Sequence, residues 1–98
     1  MIKHIVMWRL DEAAGGKTGN ALKLKQLLEE LNGRIPGLLR LEVGIDFSRE
    51  GESSDVVLYS EFESNAALQA YQVHPAHNEV VPFLKSVRGE RRVVDYEA

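Results

Sequence analysis

The order in which two hydrophobic periodicities follow each other constrains the fold of this chain most strongly. Apolar residues at every second position are typical of strands, and apolar residues three and four positions apart are typical of amphipathic helices. The order here is strand, helix, strand, strand, helix, strand, which predicts a single α+β domain over residues 1–98. Its plan is ferredoxin-like, β-α-β-β-α-β, with a four-stranded antiparallel sheet and both helices on one face. The predicted strands cover residues 2–10, 39–47, 55–62 and 91–96, and the predicted helices cover residues 18–32 and a region after the N-cap Ser64.

The first predicted strand has apolar residues on both of its faces. His4, Val6 and Trp8 share the face that the helices would cover, and other apolar residues lie on the opposite face. The uncovered side then forms a large apolar patch, which soluble monomers rarely leave exposed. We therefore predict a two-fold symmetric homodimer that packs sheet to sheet into a barrel. The residues of this open sheet face are Ile5, Met7, Val57 and Tyr59.

Composition excludes several classes of function. The chain has no cysteine, so disulfides and thiol chemistry are excluded. Its net charge of −3, without a basic stripe, argues against nucleic acid as a partner. No apolar run approaches the ~20 residues of a membrane span, and no signal-peptide pattern opens the chain. A cytoplasmic protein with no membrane partner is the expectation.

A polar loop predicted for residues 11–20 contains a sequence similar to the end of a phosphate-binding loop. The segment G-G-K-T at residues 15–18 matches the last part of the pattern G-x-x-x-x-G-K-[ST]. The full pattern needs a glycine where the chain has Asp11. A loop followed by helix capping explains these residues better, and no cofactor is predicted.

Proline interrupts the second helical region at residue 75. Because proline has no N–H and its ring clashes with the preceding turn, it cannot continue a helix, but it is favoured in the first turn of one. One helix should therefore end near Val73, and another should start with Pro75 in its first turn. A second proline, Pro82, is expected to end or kink that later helix early.

The side chains at this break can converge with the first strand on one pocket. Tyr71 and His77 lie on the helical cover of the sheet, and His4 lies on the sheet face beneath it. In a catalytic interpretation, His77 is a general base that removes a proton α to a carbonyl, and Tyr71 stabilises the enolate or protonates the new alkoxide. The first-turn position of His77 favours the neutral ring, because the positive end of the helix dipole disfavours imidazolium. The further residues predicted to contact the substrate are Val6, Trp8, Leu58, His74, Val80, Val81 and Leu84.

These residues also have a purely structural interpretation. Tyr71 and His77 could hold the helix break together by hydrogen bonds, and His74 fits a hydrogen-bonding residue at a helix boundary. His4, alone on an apolar face, fits a core histidine. The three-residue spacing of His74 and His77 also suggests metal ligands, but only Glu79 or His4 could join them. No metal site is predicted.

Three segments resemble one protein family. These are K-H-I-V at residues 3–6, Y-x-x-H-P-x-H at residues 71–77 and V-V-D-Y at residues 93–96. Together with the element order, they are similar to the stress-responsive A/B barrel (Dabb) family over essentially the whole chain. The resemblance implies a dimeric α+β barrel with a pocket inside each protomer.

One branch of that family, the plant polyketide cyclases, has a reaction assigned to residues of the signature. There the tyrosine and the second histidine of the signature act in an intramolecular aldol condensation of a linear polyketide thioester. The resemblance assigns those roles to Tyr71 and His77 and places His4 in the pocket wall. The chain departs from the cyclases near Arg91, where they carry an apolar lining residue. The ambiguous alternation of the last strand leaves the facing of Arg91 open.

Three functions stay open from the sequence. The first is an enzyme with lyase-like or cyclase-like acid–base chemistry, performing proton transfer or condensation on a small carbonyl compound. The second is a binding protein whose pocket holds a small apolar ligand without turnover, and the third is a stress-related structural protein with a filled pocket. A cofactor-independent monooxygenase of the wider superfamily is disfavoured by the signature at residues 71–77. A cavity lined by His4, Tyr71 and His77 would support the first two.

Overall fold

The computed structural model describes residues 1–12 and 15–98. Its elements are, in chain order, β1 Ile2–Leu10, α1 Gly16–Glu29, β2 Leu38–Ile45, β3 Val56–Phe62, α2 Asn65–Gln72, α3 Pro75–Val87 and β4 Arg88–Glu97. The four strands form one antiparallel sheet in the order β2-β3-β1-β4, so β3 and β1 are central. The predicted ferredoxin-like plan is confirmed, with the second helical region divided into α2 and α3.

The alternation of β1 and β3 determines which side of the sheet the helices cover. Val6 lies opposite Leu58, and both are buried in the core between sheet and helices. Ile5 lies opposite Tyr59 on the other side, where Met7 is 39% exposed. The strand pattern therefore produces one covered face, which contains the core, and one open face.

Proline separates α2 from α3 as predicted. α2 ends at Gln72, and Pro75 is the first residue of α3. His74, between the two helices, has an extended backbone, which is the conformation that a following proline imposes. Its Nδ1 accepts a hydrogen bond from the N–H of Ala76 at 3.0 Å, so the ring caps α3. The side chain of Ser64 caps α2 in the same way.

Pro82 does not end α3, so the prediction of an early end was wrong. The helix continues through Pro82 to Val87, and β4 follows at once. The carbonyl that loses its N–H donor belongs to Asn78, one turn earlier, and both Asn78 and Pro82 are exposed. Water can hydrate that carbonyl, while the buried Val80 holds the other side of the helix against the core.

β2 departs from the strict alternation that its sequence shows. The pairing with β3 shifts between Leu38 and Arg40, so Leu39 falls outside the ladder and is half exposed. Phe47 lies beyond the last residue of β2 and is 93% exposed. Apolar residues occupy every second position from Leu39 to Phe47, and that alternation alone would put both residues on one face with Leu41, because a bulge leaves no trace in it.

The first helix starts earlier than its periodicity predicts. α1 begins at Gly16, inside the loop predicted for residues 11–20, and residues 13 and 14 of that loop lie outside the described part of the chain. Among the described residues, no helix is long and apolar enough to cross a membrane.

Candidate functional site

A cavity of about 180 Å³ lies between the sheet and the helices, beneath α3. Every element except β2 contributes to its wall. The lining residues are His4, Val6, Trp8, Leu28, Leu58, Tyr71, His77, Val81, Leu84, Lys85, Arg88 and Arg91.

All of the predicted site residues except His74 and Val80 line this cavity. His74 is absent from the wall because its ring turns onto the N–H of Ala76 and caps α3. Val80 is absent because it packs in the hydrophobic core. The structure thus gives these two residues structural roles outside the cavity wall.

Four aromatic rings pack together on the inner side of the cavity. The ring centroids of Tyr71 and His77 are 4.6 Å apart, and those of Tyr71 and His4 are 6.2 Å apart. Phe62, which is completely buried, lies behind them with its centroid 5.0 Å from Tyr71 and 6.4 Å from His4. The sheet supplies His4 and Phe62, and the two helices that meet at Pro75 supply the other rings.

His77 is held in a form suited to accepting a proton. It is the third residue of α3, and its Nδ1 is buried without a hydrogen-bond partner in the described part of the chain. Burial lowers the pKa of His77, because the charged imidazolium would lose its hydration there. The ring is therefore neutral at neutral pH and available as a base.

Tyr71 is held in the opposite state, as a proton donor. It is only 1% exposed, and burial raises the pKa of its phenol far above the usual range. The hydroxyl consequently stays protonated and can donate a hydrogen bond to an oxygen that gains negative charge.

Asp95 is a site residue that the sequence did not predict. It lies directly opposite His4 in the pairing of β1 with β4, and its carboxylate accepts a hydrogen bond from His4 Nδ1. The hydroxyl of Ser60 donates to the His4 carbonyl at 2.8 Å, which fixes the backbone as well. A proton on His4 Nδ1 then faces Asp95. Only the register of β4 could have revealed this pair, and its sequence alternation is ambiguous.

Three basic residues also line the cavity; the sequence left the facing of one of them open and did not indicate the other two. Lys85, Arg88 and Arg91 come from the end of α3 and from β4, and we call them the cationic end of the cavity. Arg91 lies opposite Trp8 in the β1–β4 register, which settles its facing toward the cavity. The Nε1–H of Trp8 is buried and has no acceptor among the described residues.

A second, larger cleft of about 380 Å³ lies between the start of α1 and the loop that joins β2 to β3. It includes Lys17 and Thr18 of the segment that resembles a phosphate loop, but its charges are of both signs. Lys17 lies 3.8 Å from Asp55, and Arg9 donates to the carbonyl of Gly51 at 2.7 Å. No group of three or more potential metal ligands occurs among the residues that the structure describes. The narrower cavity, with its perturbed and unpaired groups, is the better candidate site.

Comparison with known proteins agrees with the fold and with the family resemblance. The model of the stress responsive A/B barrel domain matches residues 2–98. The chain belongs to this family. None of the curated proteins compared with the chain matches it.

Several solved structures resemble the chain over nearly its whole length. A dimeric protein of unknown function with a ferredoxin-like fold from Bacteroides fragilis is 30% identical, with a TM-score of 0.89, over 99% of this chain and 95% of that chain. A dimeric ferredoxin-like protein of unknown function from Jannaschia is 28% identical, with a TM-score of 0.78, over 99% of this chain and 98% of that chain. A hydroxynitrile lyase from Passiflora edulis is 17% identical, with a TM-score of 0.72, over 97% of this chain and 90% of that chain. At that identity the lyase shows the shared fold alone.

Proposed function

We propose that this member of the stress responsive A/B barrel family is an acid–base enzyme acting on a small carbonyl compound. One observation carries the proposal. A neutral His77, with lowered pKa, lies against a protonated Tyr71, with raised pKa, in the wall of one cavity. Titratable groups whose environments separate their protonation states in this way are typical of a base and acid pair.

The reaction begins with removal of a proton from the carbon next to the substrate carbonyl. His77 accepts that proton and becomes imidazolium, and the C–H electron pair moves into the carbonyl to form an enolate. The Tyr71 hydroxyl donates a hydrogen bond to the enolate oxygen, which lowers the barrier. The enolate is then reprotonated, or it attacks a second carbonyl to form a C–C bond. In the second case the new alkoxide takes a proton from Tyr71, and the imidazolium of His77 returns one to the phenolate.

The rest of the wall supports this chemistry. His4 is oriented by Asp95 and stays in place as a hydrogen-bonding group beside Tyr71. Apolar side chains such as Val6 and Leu58 exclude water, which keeps His77 neutral and strengthens the hydrogen bond from Tyr71.

Exchange of α-protons in deuterated water tests the proposal without knowledge of the natural substrate. A panel of small ketones, 3-oxo esters and thioesters, including phenylacetone, is incubated with the protein and followed by NMR. The expected result is catalysed exchange for at least one compound, reduced in both His77→Ala and Tyr71→Phe. If both variants kept full activity on that compound, the assignment of the two residues would be wrong. Binding without exchange anywhere in the panel would instead favour a carrier of small apolar ligands.

The functional unit in this proposal is a homodimer formed through the open sheet face. That face lacks helices and carries Ile5 and Met7 in its centre, extended by Val94 and Tyr96 of β4. The relatives from Bacteroides fragilis and Jannaschia are dimeric. A second copy packed on this face would cover its apolar residues and leave the cavity, on the other side of the sheet, inside each protomer.

Replacing Ile5 with glutamate should break the dimer. The wild type is expected to scatter light as a particle of twice the 11.0 kDa chain mass at micromolar concentration. A carboxylate in the interface must be desolvated without a partner, so Ile5→Glu should raise the dimer dissociation constant by at least ~10-fold. Leu22→Glu is the matched control, because Leu22 is exposed on α1 and lies outside this face. A wild type that scatters as a monomer, or an Ile5→Glu protein that stays dimeric, would contradict the proposed interface.

A further inference from the structure

The indole of Trp8 is an unsatisfied donor in the cavity wall. Trp8 is 2% exposed, and its Nε1–H has no acceptor among the described residues. An indole N–H can only donate, so only an acceptor atom can satisfy it. Buried polar groups without a partner are uncommon and costly, and in a cavity wall the missing partner is naturally a bound molecule.

The charge around Trp8 indicates what kind of acceptor this is. Lys85, Arg88 and Arg91 line the same cavity, and none of the described residues that line it is a carboxylate. None of the three basic side chains forms an ion pair within the part of the chain that the structure describes. Arg91 lies directly across from Trp8 on the neighbouring strand. An anionic oxygen would therefore satisfy the indole and the guanidinium together.

A carboxylate lies near the other end of the cavity, although it is not one of the lining residues. Asp95 lies beside His4, four residues along β1 from Trp8, which corresponds to about 13 Å along a strand. A negatively charged ligand group is disfavoured near Asp95 and favoured near Arg91. The two ends of the cavity thus differ: the histidine and tyrosine rings lie at one end, and the basic residues of the cationic end lie at the other.

We propose that the substrate of this cavity is a small carboxylic acid whose carboxylate binds the Trp8 indole N–H and the Arg91 guanidinium. The planar guanidinium fork matches the two oxygens of a carboxylate, and the indole adds a third donor. This orientation directs the reacting carbonyl of the acid toward Tyr71 and His77. The inference rests on the proposed function, since it names the substrate class for the same cavity.

The size of the cavity limits that acid. An apolar protein cavity of about 150 Å³ holds one benzene molecule. The cavity here, at about 180 Å³, fits an acid with a single ring or a short chain. Benzoate is therefore a suitable probe, and benzamide is its neutral counterpart of nearly the same shape.

Binding of the two probes is measured with the wild-type protein at neutral pH. Trp8 is the only tryptophan of the chain, so its fluorescence and its indole N–H resonance report on this site alone. Benzoate is expected to bind at least about fivefold more tightly than benzamide, because hydrogen bonds to a charged group are the stronger ones. Saturation with benzoate should move the indole N–H resonance downfield.

Arg91→Met is expected to remove most of the preference for benzoate and to leave benzamide binding nearly unchanged. Arg34→Met removes the same charge from an exposed turn and should keep the preference. Equal affinity for the two probes, an affinity for benzoate that Arg91→Met does not alter, an indole resonance that stays in place, or no binding of either probe would each overturn the inference.

The failure of this inference can be separated from the failure of the proposed function. Proton exchange on phenylacetone, which has no carboxylate, tests His77 and Tyr71 without using the proposed carboxylate contact. If exchange occurs and the protein binds benzoate no more tightly than benzamide, the acid–base function stands and the substrate is not an acid. If benzoate binds as expected and no carbonyl compound exchanges, the cavity is an acid-binding site without the proposed chemistry.

Discussion

Replacement of His77 with alanine is expected to lower the rate of α-proton exchange by about 10²–10⁴-fold, the usual contribution of a positioned general base. The side chain lines the cavity in contact with Tyr71, and no second histidine of the helix break reaches the cavity wall. The rate is measured under saturating substrate, so that a change in binding does not obscure the loss. A folded protein, shown by an unchanged circular dichroism spectrum, is required for the comparison.

His74→Asn is the matched control for His77→Ala. It also removes one imidazole from the same break, but asparagine can keep the hydrogen bond that caps α3, since it is among the preferred N-cap residues. The structure places His74 outside the cavity wall, so exchange should stay close to the wild-type rate. Equal losses in the two variants would mean that the break matters only as structure, and the role of His77 as base would be wrong.

The pH dependence of the proposed reaction follows from the direction of the His77 pKa shift. Burial lowers the pKa of His77, so the base-competent neutral ring persists to lower pH than in a free histidine. The acid limb of kcat/KM should therefore lie below about 6.5, the ordinary histidine value, and activity should fall as pH drops through it. An acid limb above that value, or one that persists in His77→Ala, would assign the titration to another group.

The fold could be predicted from the sequence because local signals and tertiary packing agree. The alternation of Val6 and Trp8 with Ile5 and Met7 defines two faces of β1, and the structure buries one of them. Pro75 divides the second helical region by simple steric exclusion, whatever packs against it. Such features depend only on residues that are close together in the chain, so they can be predicted from a single sequence.

The candidate site was predictable only in part, because some of it depends on strand register. Tyr71 and His77 are neighbours on the helical cover, and their spacing across the break is local. The contacts of Asp95 with His4 and of Arg91 with the Trp8 region require the pairing of β4 with β1. The sequence of β4 alternates weakly, so its register is fixed by the packed sheet and not by its own pattern.

The same limit of sequence-based prediction applies at Leu39 on β2 and at Pro82 on α3. Leu39 leaves the ladder at a shift in pairing, and α3 continues through Pro82 because the affected carbonyl faces solvent. Both outcomes depend on the surroundings of the element in the folded protein. Period and propensity alone do not contain that information.

The aromatic cluster behind the cavity gives the second large expected effect, on stability. Phe62 is fully buried on β3, and its ring packs against Tyr71 and His4. Phe62→Ala removes most of that side chain and leaves a void that the rigid sheet cannot close, which costs about 3–5 kcal/mol. Single domains have only about 5–15 kcal/mol of stability in total, so the variant should be close to unfolding. Urea denaturation followed by circular dichroism measures the difference.

Phe47→Ala makes the same chemical change at a position without packing. Phe47 is 93% exposed beyond the end of β2, and its removal should change the free energy of unfolding by no more than about 0.5 kcal/mol. The two variants together separate the effect of the lost ring from the effect of where the ring lies. If Phe62→Ala were as mild as Phe47→Ala, the cluster that positions Tyr71 and His4 would not be a packed support. The precise placement on which the acid–base pair depends would then lack a physical basis, because Phe62 is the buried ring that lies directly behind both of them.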